Sequence, residues 1–119
     1  MEAAEGARDA LFSLKAAAGR GQLPVFTEHR DLYRRPLTVA ELDRFDAVVI
    51  DPPRSGAREQ AGALAASRTP VIVYVSCNPA SFARDAKDLC AAGWRIDWIQ
   101  PVGQFLWSTH VELAAKFVR

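Results

Sequence analysis

Two hydrophobic periods alternate along this chain. Over residues 6–18, Ala7, Leu11, Leu14 and Ala18 recur at helical spacing, and Gly19-Arg20-Gly21 stops the run. The opening Met1-Glu2-Ala3-Ala4-Glu5-Gly6 shows no strand pattern, as though the chain began in the middle of an α/β domain. Leu23 to Thr27 reads as a short strand, with Pro24 near its start where a missing donor does least harm. Thr38-Val39-Ala40-Glu41 has the spacing of a capping box and opens one or two helical turns. Phe45 to Ile50 is an apolar run that predicts a buried strand, ending at Asp51-Pro52-Pro53-Arg54. An alanine-rich helix is expected over 57–66. Pro70 then introduces Val71 to Val75, a β-branched run too short for a helix and expected to be buried on both faces.

Asn78-Pro79 reads as a helix start, with Asn at the N-cap and Pro at the first helical position. The helix over 79–92 would bury Phe82, Ala86, Leu89 and Cys90 and end at Gly93. Trp94, Ile96 and Trp98 alternate with Arg95 and Asp97, which predicts a strand with one wetter face. A loop from Pro101 to Thr109 and a last strand from His110 to Val118 complete the chain.

Helices alternating with strands imply a doubly wound, mostly parallel sheet. The last two strands lack a crossover helix, and a loop of about nine residues suits an antiparallel return. If the last strand lies beside the Val71–Val75 strand, Asp51, Cys77 and Glu112 meet at one sheet edge. Ligands of open α/β sheets bind at the carboxyl ends of the strands.

Composition adds bounds rather than chemistry. The 119 residues, 50% hydrophobic and 24% charged, suit one globular domain, 1–119. A net charge of +1 gives no electrostatic footprint for nucleic acid or membrane. No apolar run reaches the length of a membrane span and no secretory signal is visible. Two cysteines without a framework point to a reducing, cytoplasmic setting. His29 and His110 lack ligand spacing, so no metal is expected.

Taken singly, the chemical candidates stay open. Cys77 precedes a helix N-terminus, whose partial positive charge stabilises anions, yet a cysteine there also serves as a small core hydrophobe. Asp51-Pro52-Pro53-Arg54 fits a rigid loop whose aspartate caps the next turn. Related Asp/Asn-Pro-Pro-aromatic loops resemble those of amino-methyltransferases, but Arg54 replaces the aromatic and argues against methylation of an exocyclic amine. Glu112 alone reads as a solvated strand residue. Trp94, Trp98 and Trp107 read as core or interface aromatics before base-stacking ones.

The combination is more specific. Asp51-Pro52-Pro53-Arg54-Ser55-Gly56, Ser76-Cys77-Asn78-Pro79 with Ala83-Arg84-Asp85, and His110-Val111-Glu112, in that order, resemble the RNA uracil-5-methyltransferase family. The resemblance covers nearly the whole chain but only the carboxyl-terminal part of such an enzyme. It implies a partial Rossmann-like class I methyltransferase sheet, mostly parallel with an antiparallel last strand. It further implies S-adenosylmethionine as cofactor, tRNA or rRNA as partner and 5-methyluridine as product. By the same resemblance Cys77 matches the nucleophile and Glu112 the proton acceptor. Glu5 matches the residue that grips the cofactor ribose, Asp31 a polar residue near the adenine, and Asp51 a residue lining the cofactor and uracil site.

The chain departs from the family at Gly103-Gln104-Phe105-Leu106, where members carry Asp-Met-Phe-Pro. It also shows no glycine-rich cofactor loop, no RNA-binding region and none of the iron–sulfur ligands that some relatives carry upstream. The chain alone is therefore expected to be inactive. In the family's sheet order two strands separate the Val25 strand from the Phe45–Ile50 strand. Loss of those neighbours would leave an edge that recruits a second copy or the Val25 strand itself. Two rivals stand beside this reading: a thiol hydrolase built from Cys77, His110 and Glu112, and a non-catalytic interaction fragment.

Overall fold

The computed structural model describes residues 1–21, 24–103 and 110–119. They form two compact units, Met1–Pro36 and Leu37–Arg119.

The first unit holds β1 (Glu2–Glu5), α1 (Arg8–Ala18) and β2 (Phe26–His29). β1 and β2 pair in parallel, from Glu2 opposite Phe26 to Glu5 opposite His29. The strand at Glu2–Glu5 corrects the sequence expectation of none before the first helix. Glu-Ala-Ala-Glu has weak intrinsic β preference, and it is the ladder to β2 that makes it a strand. β2 also begins later than the expected Leu23, which lies outside the described residues. Leu11 is the buried residue of α1.

The second unit holds α2 (Val39–Leu42), β3 (Val48–Ile50), α3 (Arg58–Ala66), β4 (Val71–Ser76), α4 (Pro79–Ala91), β5 (Arg95–Gly103) and β6 (Val111–Val118). Its sheet has the order β3-β4-β6-β5. β3 runs parallel to β4, while β6 runs antiparallel to both β4 and β5. Three strands thus point one way and the last strand runs against them. β1 and β2 form a two-stranded sheet of their own.

Caps behave as their residue types require. Thr38 Oγ1 accepts from the Glu41 amide at 3.3 Å, and a Glu41 carboxylate oxygen accepts from the Thr38 amide at 2.8 Å. Asn78 caps α4 through Ala80, with Pro79 in the first turn. Gly93, at φ 99°, follows the end of α4.

The core lies between α3, α4 and one face of the sheet. Ile72 and Tyr74 of β4 and Ala115 and Phe117 of β6 are fully buried against Leu64 and Leu89. Phe82 meets Tyr74 edge-on, with centroids 5.3 Å apart. The expectation that β4 is buried on both faces is corrected. Ile72, Tyr74 and Ser76 are buried, whereas Val71, Val73 and Val75 are half-buried, because α3 and α4 cover one face. Val49 of β3 is likewise exposed. Cys90 is a second correction: Phe82, Ala86 and Leu89 face the core, but Cys90 is exposed on α4. A β-bulge between Ile96 and Trp98 shifts the register of β5 and leaves Trp98 exposed, so the simple alternation read there does not continue. β5 runs on through Pro101 to Gly103 where a loop was expected. Residues 104–109, including Phe105 and Trp107, lie outside the described residues.

Candidate active site

Strand register decides which side chains share a side of the second unit's sheet. Ser76 pairs with Leu113, so Cys77 and Glu112 each stand one step beyond that rung, on neighbouring antiparallel strands. Ser76 and Leu113 point into the core. By alternation Glu112 takes the opposite side, that of Val73 and Val75, and Cys77 follows the last residue of β4 at the same end of the sheet. Both are half-buried. Ile50 pairs with Tyr74 and ends β3, so Asp51, the next residue, leaves the same end of the sheet and is exposed. The expected meeting of Asp51, Cys77 and Glu112 at one edge follows from this topology.

Local bonds fix the loop that carries Cys77. Ser76 Oγ accepts from the Asn78 amide at 3.1 Å, so residues 76–78 form a tight turn with Cys77 at its apex. Asn78 then works in two directions. Its Oδ1 accepts from the Ala80 amide at 3.1 Å, and its Nδ2 donates to the Arg54 carbonyl at 2.8 Å. The first bond starts α4, and the second ties the Cys77 turn to the loop after β3.

That loop, residues 51–57, is held again at its far end. Asp85 Oδ2 accepts from the Ala57 amide at 2.7 Å and from the Tyr74 hydroxyl at 2.6 Å. Burial first, and then the bond and negative charge of Asp85, push the Tyr74 hydroxyl well above its ordinary pKa of 10.0. Arg84 Nη2 donates to Asp85 Oδ1 at 2.7 Å and to the Ser55 carbonyl at 2.9 Å. At the outer surface, Arg54 Nη1 and His110 Nδ1 lie 3.4 Å apart.

The cofactor candidates fall in the first unit. Glu5 ends β1, and its Oε1 accepts from the Ala7 amide at 2.7 Å. Asp31 Oδ1 accepts from the amides of Tyr33 and Arg34, at 3.0 and 3.2 Å. Each carboxylate also shapes its own turn, which sequence spacing did not reveal. Sequence spacing does not single out Tyr74, which stands in an apolar run and reads only as strand. Its partner Asp85 was visible as a motif letter without a contact. Among the described residues no cluster of three or more His, Cys, Asp or Glu side chains could hold a metal ion. No helix among them is long and apolar enough to cross a membrane.

A family model described as tRNA (uracil-5-)-methyltransferase matches residues 24–118. The chain belongs to that family. An uncharacterized RNA methyltransferase of Zymomonas mobilis is 57% identical over 117 residues, covering 98% of this chain and 30% of that relative. A 23S rRNA (uracil(1939)-C(5))-methyltransferase of Alcanivorax borkumensis is 45% identical over 73 residues, 61% of this chain and 16% of that enzyme. The crystal structure of Pyrococcus abyssi tRNA (uracil-54, C5)-methyltransferase in complex with S-adenosyl-L-homocysteine superposes with a TM-score of 0.84 at 33% identity, over 98% of this chain and 28% of that one. The fold of this family member is thus that of the class I S-adenosylmethionine-dependent methyltransferases. It spans about 30% of the length of the curated relatives it matches.

Proposed function

We propose that a protein carrying this chain methylates C5 of uridine in RNA, using S-adenosylmethionine and a covalent adduct of Cys77 at C6. The observation that supports this reading most is the strand order and register, by which Asp51, Cys77 and Glu112 follow or lie at one end of three neighbouring strands. A cytoplasmic setting is part of the same reading.

The chemistry needs these residue types. C5 of uracil is too weak a carbon nucleophile to attack a methyl sulfonium unaided. Addition of the Cys77 thiolate forms the S–C6 bond and moves an electron pair into an enolate, which makes C5 nucleophilic. S-adenosylmethionine, when bound, would supply an electrophilic methyl group to that carbon, its S–CH3 bond breaking to leave the neutral thioether S-adenosylhomocysteine. Glu112 then removes the C5 proton, the 5,6 double bond reforms and the thiolate leaves. Asp51, just beyond the end of β3, lines the uracil and cofactor. The carboxylates of Glu5 and Asp31, at and just beyond the carboxyl ends of paired parallel strands, fit a cofactor with a ribose diol and an exocyclic amine. Ionised carboxylates accept from both kinds of donor.

A protein extending over the relatives' full length, incubated with S-adenosylmethionine and RNA containing 5-fluorouridine, should form a covalent RNA complex that survives denaturation. Fluorine cannot be taken as a proton, so the adduct stalls before elimination. Failure to trap RNA, together with normal labelling by an acylating substrate, would favour the thiol hydrolase and sink the methyltransferase mechanism. The 119-residue chain alone is expected to bind S-adenosylmethionine weakly and to self-associate through the edge of β3, where Val49 is 67% exposed. Micromolar cofactor binding by a monomer of this chain, measured by calorimetric titration, would contradict that expectation.

A further inference from the structure

Asp85 is the fully buried carboxylate beneath the loop that carries Asp51, and its bonds converge on that loop. Oδ2 takes the amide hydrogen of Ala57 and the hydroxyl of Tyr74, at 2.7 and 2.6 Å. Oδ1 accepts from Arg84 Nε and Nη2 at 2.9 and 2.7 Å, and the same Nη2 reaches the Ser55 carbonyl at 2.9 Å. Charge-assisted bonds of this number offset the desolvation of a buried carboxylate. Packing alone does not call for them, because apolar side chains of similar volume would fill the space at less cost. What they supply is direction: from β4 and α4 to two successive parts of one loop.

Gly56 supports this independently. Its φ is +82°, and a Cβ built there would stand 2.5 Å from Arg84 Nη2 and 2.7 Å from Asp85 Oδ2. The loop backbone is fitted directly against the ion pair, and only glycine allows that approach. From there the chain runs back through Arg54, bonded to Asn78, and through Pro53 and Pro52, which restrict φ, to Asp51.

We propose that Asp85, seated by Tyr74 and Arg84, is a positioning residue for methyl transfer: it fixes the 51–57 loop against the Cys77 turn and so sets where Asp51 meets the uracil. The inference rests on the C5-methylation reading above.

The test uses the full-length protein, S-adenosylmethionine and an RNA transcript tritiated at C5 of uridine. Tritium release gives kcat and KM, and urea unfolding gives the folded fraction. Tyr74→Phe removes one hydroxyl and keeps the ring packed edge-on against Phe82. Gly56→Ala pushes the loop off the ion pair by steric contact while every hydrogen-bonding group of Tyr74, Arg84 and Asp85 is retained. Both should lower kcat per folded molecule by roughly tenfold or more, as misplacement of reacting groups does, with KM for RNA changed less than about twofold. A purely structural pair would lower the urea midpoint and leave kcat per folded molecule at the wild-type value. Wild-type kcat in Tyr74→Phe overturns the proposal; should that variant fail to fold, Gly56→Ala decides in the same way. Absence of tritium release from the unaltered enzyme would overturn the methylation reading itself, and the positioning role with it.

Discussion

The side-chain amide of Asn78 donates to the carbonyl of Arg54 over 2.8 Å and joins the loop after β3 to the turn that carries Cys77. The same side chain caps α4, so its two ends can be separated by mutation. Asn78→Asp keeps an acceptor for the Ala80 amide but turns an oxygen toward the Arg54 carbonyl. It should hold thermal stability within about 0.5 kcal/mol and still lower turnover, whereas Asn78→Ala should also lose about 0.5–2 kcal/mol of cap. Urea unfolding alongside methylation assays would separate the two, and equal stability losses would refute the division.

The two cysteines should behave differently. Cys77→Ala should abolish 5-methyluridine formation while leaving the fold intact. Cys90 is exposed, so Cys90→Ala should change stability by no more than about 0.5 kcal/mol and leave turnover unchanged. Product analysis by mass spectrometry checks both, and near-normal methylation by Cys77→Ala would remove the nucleophile.

Glu112→Gln should block a later step than Cys77→Ala. With no base to take the C5 proton, a methylated covalent adduct should accumulate on unmodified RNA. Denaturing gels with labelled RNA would reveal it; a well-folded variant that forms no adduct counts against the role of Glu112.

Tyr74 gives a pH dependence with a definite sign. Its pKa is raised in the folded state above the ordinary 10.0, through burial and then Asp85, so the unfolded chain releases this proton first. Stability from the neutral hydroxyl is complete below about pH 10 and falls as pH rises beyond it. Tyr74→Phe should flatten that alkaline decline. Urea midpoints measured from pH 8 to 11 test this, and parallel curves for the two proteins would exclude it.

What the sequence made legible, and what it hid, divides by the range of the interactions involved. The capping box at Thr38–Glu41 and the Asn78-Pro79 start of α4 depend on neighbours a few residues away, and both are present. The antiparallel β5–β6 return followed from loop length, and with it came the shared edge of Asp51, Cys77 and Glu112. Glu2–Glu5 was missed because its strand state comes from β2, more than twenty residues on, rather than from its own side chains. Cys90 was placed in the core because apolar spacing does not say how wide the buried stripe of a helix is. Tyr74 was hidden for a different reason: a tyrosine in an apolar run looks like any core residue until Asp85 is brought beneath it by the packing of α4.

The ladders around the candidate site differ in depth. β4 is paired on both sides, through six rungs with β6 and three with β3, whereas β3 has β4 as its neighbour among the described residues. Backbone opening costs least where few hydrogen bonds and little buried apolar surface must be given up. Amide hydrogens of β4 and β6 should therefore exchange slowly, and those of Val48–Ile50 faster. Cys77 follows a strand held by ladders on both sides, whereas Asp51 follows one held by three rungs. With so short a ladder behind it, the place of Asp51 depends less on the sheet than on the bonds that Asn78, Arg84 and Asp85 make to the 51–57 loop.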